Sequence, residues 1–390
     1  MYHHDDRNYA DALAAAKVHL EQEIHKRMAS ASRVMERVHN QILVDRMVPS
    51  RGLRFSVETQ TRKEGEGKKE IIIPTHRVLL AGGKAGGKAD FQEPLHHHAL
   101  MQVAARADVP EKFITRMLEK PYGGHLIVDN LNTIFREEKA ARFLVRSTDD
   151  EIRGVLSDTY RRMDSRPILD TFAGACQELG AVPIEGIGGD LRFAIKALIP
   201  KVYVAGTKHG AEEVFSFGVS LSNSDVGCGA LSLQFFLWRI WCSNTATKED
   251  SLRKVHLGKR LGDEIVYSEE TYKADTETMR LAVRDHVKEV LSGDRVDQAL
   301  AMITKALDTA VEPKAFFERG GELEKLKLTK GEIEKTREVF NDGGVEILPR
   351  KTNMARMSQA IAWIAQAADT AERRLELERV ACQVMEKAAA

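Results

Sequence analysis

The sequence has little cysteine and no net charge. Its 390 residues include four cysteines, which are far apart and form no C-x-x-C pair. This argues against a zinc ribbon and a disulfide scaffold, and is typical of a reducing cell interior. Lys plus Arg and Asp plus Glu both number 58, so a surface that binds a charged partner has to be local.

Long apolar segments are also missing. The longest apolar run, 230–242, is too short to span a bilayer and contains Arg239. The N-terminus is polar and shows no signal peptide. We therefore expect a soluble intracellular protein that does not enter a membrane.

Hydrophobic periodicity predicts an α+β fold. A core of antiparallel β-hairpins, of β-β-α-β type, is expected between N-terminal and C-terminal helical regions. One long helix is predicted over 8–48, and Phe215 to Leu221 alternate with small polar residues as in a half-buried strand. An apolar stripe from Met354 to Leu375 predicts a last helix and is broken at Glu378. The predicted parts are 1–94 (helix, hairpin and Gly/Lys loop), 95–140 (helical hairpin), 141–247 (α+β core) and 248–390 (helical region).

A glycine loop at 82–88 matches the phosphate-binding pattern G-x-x-x-x-G-K. Such a loop needs Ser or Thr after the lysine and a helix that begins there. Ala89 stands at that position and Pro94 follows, so we expect a flexible loop rather than an ATP site. Its Lys84 and Lys88 remain candidates for contact with a phosphate backbone.

No other motif predicts a metal or catalytic site. Three adjacent histidines, 96–98, point in different directions on a helix and lack a carboxylate at metal spacing. The segment 102–118 resembles a helix-turn-helix, but its second helix is not clearly basic. No Ser-His-Asp or Cys-His arrangement has a recognisable signature. We therefore expect no cofactor, no metal and no catalytic residues.

Two central segments resemble the DUF932 family of phage and plasmid proteins. They are 142–172, which contains the Ser157-Asp158 pair and Tyr160, and 220–246. The likeness extends over most of 95–385. The matching polar positions are Arg146, Ser157, Asp158, Tyr160, Asn223, Ser224, Arg239, Cys242, Asn244 and Thr245. Members often carry His-Asp after Asn-Ser, whereas this chain has Asp225-Val226, which weakens an enzymatic interpretation.

The resemblance implies a role in phage or plasmid DNA metabolism, in the cytoplasm of a bacterial host cell. The strand-strand-helix arrangement is also similar, at the level of fold analogy, to Rad52-like single-strand annealing proteins. This second similarity implies that the protein binds single-stranded DNA and anneals strands as a homo-oligomer, without covalent chemistry. RNA remains an alternative ligand.

Local charge agrees with a nucleic-acid partner. Residues 186–260 contain ten basic and six acidic side chains, an excess of four. Single-strand binding needs such cations together with aromatic faces. The predicted contacts are Arg146, Arg153, Tyr160, Arg161, Arg192, Lys196, Arg239, Asn244, Lys84 and Lys88. Two alternatives stay open: an enzyme that uses Asp158, Tyr160, Arg239 and Asn244, and a phage structural or host-interaction protein.

Overall fold

The computed structural model describes residues 6–64, 71–137, 142–206, 212–240, 245–248, 252–256, 268–342 and 351–389. It confirms the α+β class, with antiparallel sheets and with helices at both ends. The helices are α1 (Asp6–Asn40), α2 (His97–Arg106), α3 (Glu111–Leu118), α4 (Gly123–Glu137), α5 (Ser165–Glu178), α6 (Glu269–Val290), α7 (Gly293–Asp308), α8 (Pro313–Phe317), α9 (Glu322–Lys325), α10 (Lys330–Asn341), α11 (Met354–Gln366) and α12 (Ala371–Ala389). The strands are β1 (Val44–Pro49), β2 (Arg54–Glu64), β3 (Ile71–Gly83), β4 (Ala89–Pro94), β5 (Arg142–Thr148), β6 (Glu151–Ser157), β7 (Val182–Gly188), β8 (Phe193–Leu198), β9 (Tyr203–Gly206), β10 (Glu212–Asn223), β11 (Leu231–Arg239), β12 (Thr245–Thr247) and β13 (Leu252–Lys254).

The first helix is shorter than the sequence pattern predicts. Helix α1 ends at Asn40, and β1 then pairs antiparallel with β5, with Val44 opposite Ser147. The predicted helix over 8–48 is therefore wrong in its last part. Pro49 at its end and the two β-branched residues Val44 and Val48 suit an extended edge strand.

The predicted hairpin after β1 is confirmed. Strands β2 and β3 pair in register, with Arg54 opposite Ala81, and β4 continues the sheet after a tight turn that contains Lys84 and Lys88. A strand, β4, thus follows the glycine loop in place of a helix. In an ATP-binding loop, the N-terminus of the helix that follows neutralises the bound phosphate. The turn between β3 and β4 is followed by a strand and therefore has no such helix N-terminus.

The large sheet has the order β12-β11-β10-β8-β7, with β9 on β10 and β13 on β11. One face of β10 carries Phe217 and Val219 into the main core, which includes α5, α6 and the C-terminal helices. Ser216 and Ser220 on the other face are also buried, at 0% and 2% exposure. The expectation of a half-buried strand is therefore wrong, because helices cover both faces.

Helices α1 and α12 cover the polar face of this sheet. Leu20 and Ile24 of α1 pack with Phe236 and Trp238, and Leu375 of α12 packs with the ends of β7 and β8. The predicted terminal helix is in fact two, α11 and α12, separated at 367–370. No helix of the described ranges is both long and apolar enough to span a membrane.

A smaller sheet has the order β1-β5-β6, and its strands contribute residues to the candidate functional site. Leu95 forms a parallel bridge to Ile152 of β6, and α2 packs against that strand. The pairing of β1 with β5 crosses the predicted boundaries at 94 and 140. Residues from the predicted first and third parts therefore belong to one sheet.

Candidate functional site

The turn between β10 and β11 is held in place from several sides. The Ser224 hydroxyl donates to the carbonyl of Leu191 at 2.6 Å and accepts from the Val226 and Cys228 amides at 3.3 and 2.9 Å. Gln102 of α2 donates to the Val226 carbonyl at 2.8 Å. A hydroxyl can serve as both donor and acceptor, so Ser224 bonds to three backbone groups and fixes the turn.

Arg146 of β5 attaches this turn to the smaller sheet. It donates to both carboxylate oxygens of Asp45, at 2.7 and 2.9 Å, and to the carbonyl of Asp225 at 2.9 Å. Asp164 is a further ion-pair partner at 2.9 Å. The Asp225 carboxylate accepts from the Ser165 amide at 2.8 Å, and burial raises its pKa to about 6. This buried network connects β1, β5, α5 and the turn.

Tyr160 and His256 form an aromatic wall beside the turn. Their rings stack with centroids 4.9 Å apart and planes 7° apart. The Tyr160 hydroxyl donates to the carbonyl of Ser224 at 3.2 Å, and burial raises the pKa of this phenol. The two ring nitrogens of His256 lie 2.8 Å from the Arg161 carbonyl and 3.0 Å from the Asn223 amide oxygen. Burial lowers the pKa of His256, and a neutral imidazole donates to only one of these acceptors.

A pocket of about 430 Å³ opens between α2, the end of β6 and the turn. Its volume lies within the range of small-molecule sites, roughly 300–1,000 Å³. It is lined by Gln102, Arg106, Leu156, Ser157, Tyr160, Gly227, Cys228, Gly229, Ala230, Val255 and His256.

Arg106 is the cation of this pocket. Its guanidinium donates to the Gln102 carbonyl at 3.0 Å and lies over the Phe143 ring, 5.5 Å from the centroid. Burial lowers its pKa. Across the described ranges no carboxylate forms an ion pair with it. Arg106 is partly buried, and a partly desolvated cation without a counter-charge has a cost that a bound anion would relieve.

Three predicted nucleic-acid contacts are buried in carboxylate pairs, which corrects the expectation that they face a groove. Lys196 is 0% exposed and donates to both Glu378 oxygens at 2.7 Å. Arg239 donates to the two oxygens of Glu213 at 2.7 and 2.8 Å. Arg146 is 1% exposed and bound as described above. Each charge is already neutralised inside the protein, so none is presented to a strand outside it.

Of the remaining predicted contacts, some lie at the pocket and some do not. Tyr160 lines it, whereas Arg153 pairs with acidic neighbours at 3.4 and 3.7 Å and Arg161 pairs with Asp275 of α6. Lys84 and Lys88 are exposed in the β3–β4 turn, and Asn244 lies outside the described residues.

Arg192 lies against the turn at Gly229. It directly precedes β8, is partly buried and donates to the Ser222 hydroxyl at 3.3 Å. Lys196, four residues further along, points inward against α12, so the two predicted contacts do not form a common exposed surface.

Two described members of the polar cluster in the enzymatic alternative, Tyr160 and Arg239, lie far apart. Tyr160 contacts Ser224 at the turn, whereas Arg239 lies opposite Phe215 near the other end of β10. Nine residues separate Phe215 from Ser224, which corresponds to about 30 Å of strand. Asp158 and Arg239 therefore cannot act on one substrate atom.

Two of the three adjacent histidines, His96 and His98, have contacts within the protein. His96 accepts from the amide of His98 at 3.1 Å at the start of α2, and His98 lies 3.2 Å from the Val226 carbonyl. Among the residues described, no group of three His, Cys, Asp or Glu side chains is arranged to hold a metal ion.

Comparison with known proteins identifies no relative. No family profile, curated protein or solved structure matches this chain. The resemblance to the DUF932 family therefore stays a prediction.

Sequence reasoning missed Arg106, Gln102, His256 and Cys228 as pocket residues. Arg106 and Gln102 are separated by one helical turn, which placed both on one face of α2. That spacing was the available signal. The sequence contains no signal that His256 belongs to the pocket, because only the fold brings it next to Tyr160.

Proposed function

We propose that the protein binds single-stranded nucleic acid, with one nucleotide held in the pocket beside the β10–β11 turn. The observation that carries this proposal is Arg106, a cation in a nucleotide-sized pocket without a carboxylate partner among the described residues. Single-strand binding combines cations for phosphates with aromatic groups for bases. Arg106 supplies the first and the Tyr160–His256 wall the second.

Further cations lie near the pocket mouth. Lys254 is exposed on β13, next to the pocket residue Val255, and Arg192 lies against the turn at the pocket residue Gly229. These cations could contact the phosphate backbone of a strand bound in the pocket, as electrostatic binding requires.

Strand annealing by a homo-oligomer is part of this proposal. One pocket of about 430 Å³ holds one nucleotide, so a strand long enough to pair stably has to be held by several copies side by side. Bases between the pockets would remain available to a complementary strand. Annealing of this kind requires no covalent step and no cofactor.

The test is fluorescence anisotropy of a labelled oligothymidylate from low to near-physiological salt, with duplex DNA and RNA of equal length in parallel. We expect salt-dependent binding that is tighter for the single strand. Arg106→Gln should weaken it several-fold and reduce the slope of log affinity against log salt by about 0.7, the value of one phosphate contact.

Arg295→Gln is the matched control, because it removes the same charge from α7, which packs near β9 and away from the turn. Its affinity should equal that of the wild type. The proposal fails if the wild-type protein shows no salt-dependent binding, or if Arg106→Gln binds as tightly as Arg295→Gln. Annealing of two complementary labelled strands, followed by energy transfer, should slow in the same order of variants.

A further inference from the structure

His256 lies between two hydrogen-bond acceptors in the wall of the pocket. Its Nδ1 is 2.8 Å from the carbonyl oxygen of Arg161, and its Nε2 is 3.0 Å from the amide oxygen of Asn223. The Arg161 amide donates in turn to the His256 carbonyl at 2.9 Å. These contacts fix the ring, whose flat side stacks on Tyr160.

The side-chain amide of Asn223 cannot turn round to offer a donor. Its Nδ2 donates to the carbonyl of Met163 at 2.9 Å and to the Ser165 hydroxyl at 3.1 Å, and the side chain is 0% exposed. A carbonyl only accepts, so the opposite orientation of the amide would place two oxygens against each other. Both ring nitrogens of His256 therefore face an acceptor.

Only a protonated imidazole satisfies both acceptors. A neutral ring carries one N–H, so one of its nitrogens faces an oxygen with a lone pair, whereas the imidazolium donates from both nitrogens. The arrangement around His256 therefore favours the charged ring.

Burial and positive charge oppose that proton. Burial comes first and the charge of Arg146 second among the effects that lower the pKa of His256, while the Asp164 carboxylate acts in the opposite direction. The Arg161 guanidinium is paired with a carboxylate of α6, and Arg106 is a further cation in the lining of the same pocket. An anion in the pocket would offset this positive charge and so favour the proton.

We propose that the pocket takes up a proton at His256 when it binds an anion, and that acid pH therefore strengthens the binding. The identification of this anion as a phosphate of a bound strand rests on the proposed function. Both nitrogens of His256 are occupied by protein acceptors, so the ring acts through its charge and by holding Tyr160. His256 is therefore a positioning residue that also senses pH.

The first test is isothermal titration calorimetry with sulfate at constant ionic strength, from about pH 7.5 to about pH 5.5, the range in which histidine titrates. Sulfate keeps its charge throughout this interval. We expect its affinity to rise about tenfold as the pH falls, which corresponds to a His256 pKa that is one unit higher with the anion bound. Titrations in buffers of different ionisation enthalpy should show protons taken up as sulfate binds.

His256→Gln keeps one donor but cannot take up a proton, so its sulfate affinity should change much less with pH. His125→Gln is the matched control, because it removes an exposed histidine from α4, and it should behave as the wild type. Asp225 and His98 also lie at the turn and have shifted pKa values. We expect Asp225→Asn and His98→Gln to retain most of the rise in affinity.

The proposal is overturned if the affinity of His256→Gln rises as much as that of the wild type. The proton uptake of the wild type is measured without any variant, and its absence, or the absence of sulfate binding, would also overturn the proposal.

The same titrations with oligothymidylate separate this inference from the proposed function, because neither its phosphodiesters nor its bases titrate in this interval. If sulfate binds with proton uptake at His256 but no oligonucleotide binds, the inference stands and the proposed function fails. If oligothymidylate binds and His256→Gln shows the same pH dependence as the wild type for both anions, the proposed function stands and the inference fails.

Discussion

At the scale of single residues, the fully and partly buried charges divide into those with a partner and those without. Lys196 lies between Glu378 and Glu185, at 2.7 and 3.3 Å, and serves to attach α12 to the sheet. Arg106 and Arg192 have no such carboxylate among the described residues. A buried charge is retained at low cost only when it is paired, so the unpaired cations are the ones to test for ligand binding.

Asp225 gives a prediction about pH. Burial raises its pKa from 3.8 to about 6 in the folded protein, so between these values the folded state binds a proton that the unfolded state has lost. The contribution of Asp225 to stability therefore falls as pH rises from about 4 to about 6. In Asp225→Asn this dependence is absent. The free energy of unfolding of the variant minus that of the wild type should increase by about 2 kcal/mol over this interval.

Urea denaturation at a series of pH values measures that difference. Asp129→Asn is the control, because Asp129 is exposed on α4, and its difference from the wild type should stay constant. A constant difference for Asp225→Asn as well would contradict the prediction.

Residue identity alone could not separate paired from unpaired cations. The partner of Lys196 is 182 residues away in the sequence, and Glu378 breaks an apolar stripe in a way that suggested only an interruption. An acidic residue on the apolar side of a helix is, in this fold, the counter-charge of a buried lysine. Only the packing of α12 on the sheet shows which lysine that is.

At the scale of elements, α1 and β7 approach closely at Gly186. A Cβ at this position would lie 2.5 Å from the carbonyl oxygen of Ser30 and 2.7 Å from a methyl group of Val34. The Gly186 amide also donates to the Ser30 hydroxyl at 3.1 Å. This contact sets how near α1 lies to the edge of the sheet.

Gly186→Ala should therefore lower the free energy of unfolding, by about 1–3 kcal/mol, as overpacked substitutions do. Gly174→Ala is a matched substitution on the exposed side of α5, where a Cβ meets nothing within 4 Å. Because alanine favours a helix over glycine, it should raise the free energy of unfolding by about 0.5–1 kcal/mol. Chemical denaturation of both variants gives the two signs. If Gly186→Ala were as stable as Gly174→Ala, the close approach of α1 would be refuted.

Elements defined by local pattern could be predicted, and elements defined by distant pairing could not. The hairpins β2–β3, β7–β8 and β10–β11 combine alternation with turn residues between the strands, and all three are confirmed. The sequence pattern wrongly predicted β1 as part of the preceding helix, because β1 forms a strand by pairing with β5, about one hundred residues further on. The pocket depends in the same way on His256, which reaches the site only after β13 has paired with β11.

At the scale of the whole molecule, contacts in the folded protein cross the boundaries of the four parts predicted from the sequence. A fragment of 141–247 would lose β1 from its small sheet and α1 from β7. It would also lose Glu378, so that Lys196 would be buried without its closest counter-charge or would draw water into the sheet. The main core of this fragment also includes residues of α6, α7, α11 and α12.

We therefore predict that 141–247, expressed alone, does not fold cooperatively, whereas the full chain unfolds with a sharp transition for its core. The measurement is thermal unfolding followed by far-ultraviolet and near-ultraviolet circular dichroism. The fragment should lack a near-ultraviolet signal and a sharp transition, because exposed apolar faces of a sheet do not fix side-chain packing. A longer fragment, 13–389, keeps every contact named above and is the control. Cooperative unfolding of 141–247 would instead show that the central part is an independent domain and that the helices only cover it.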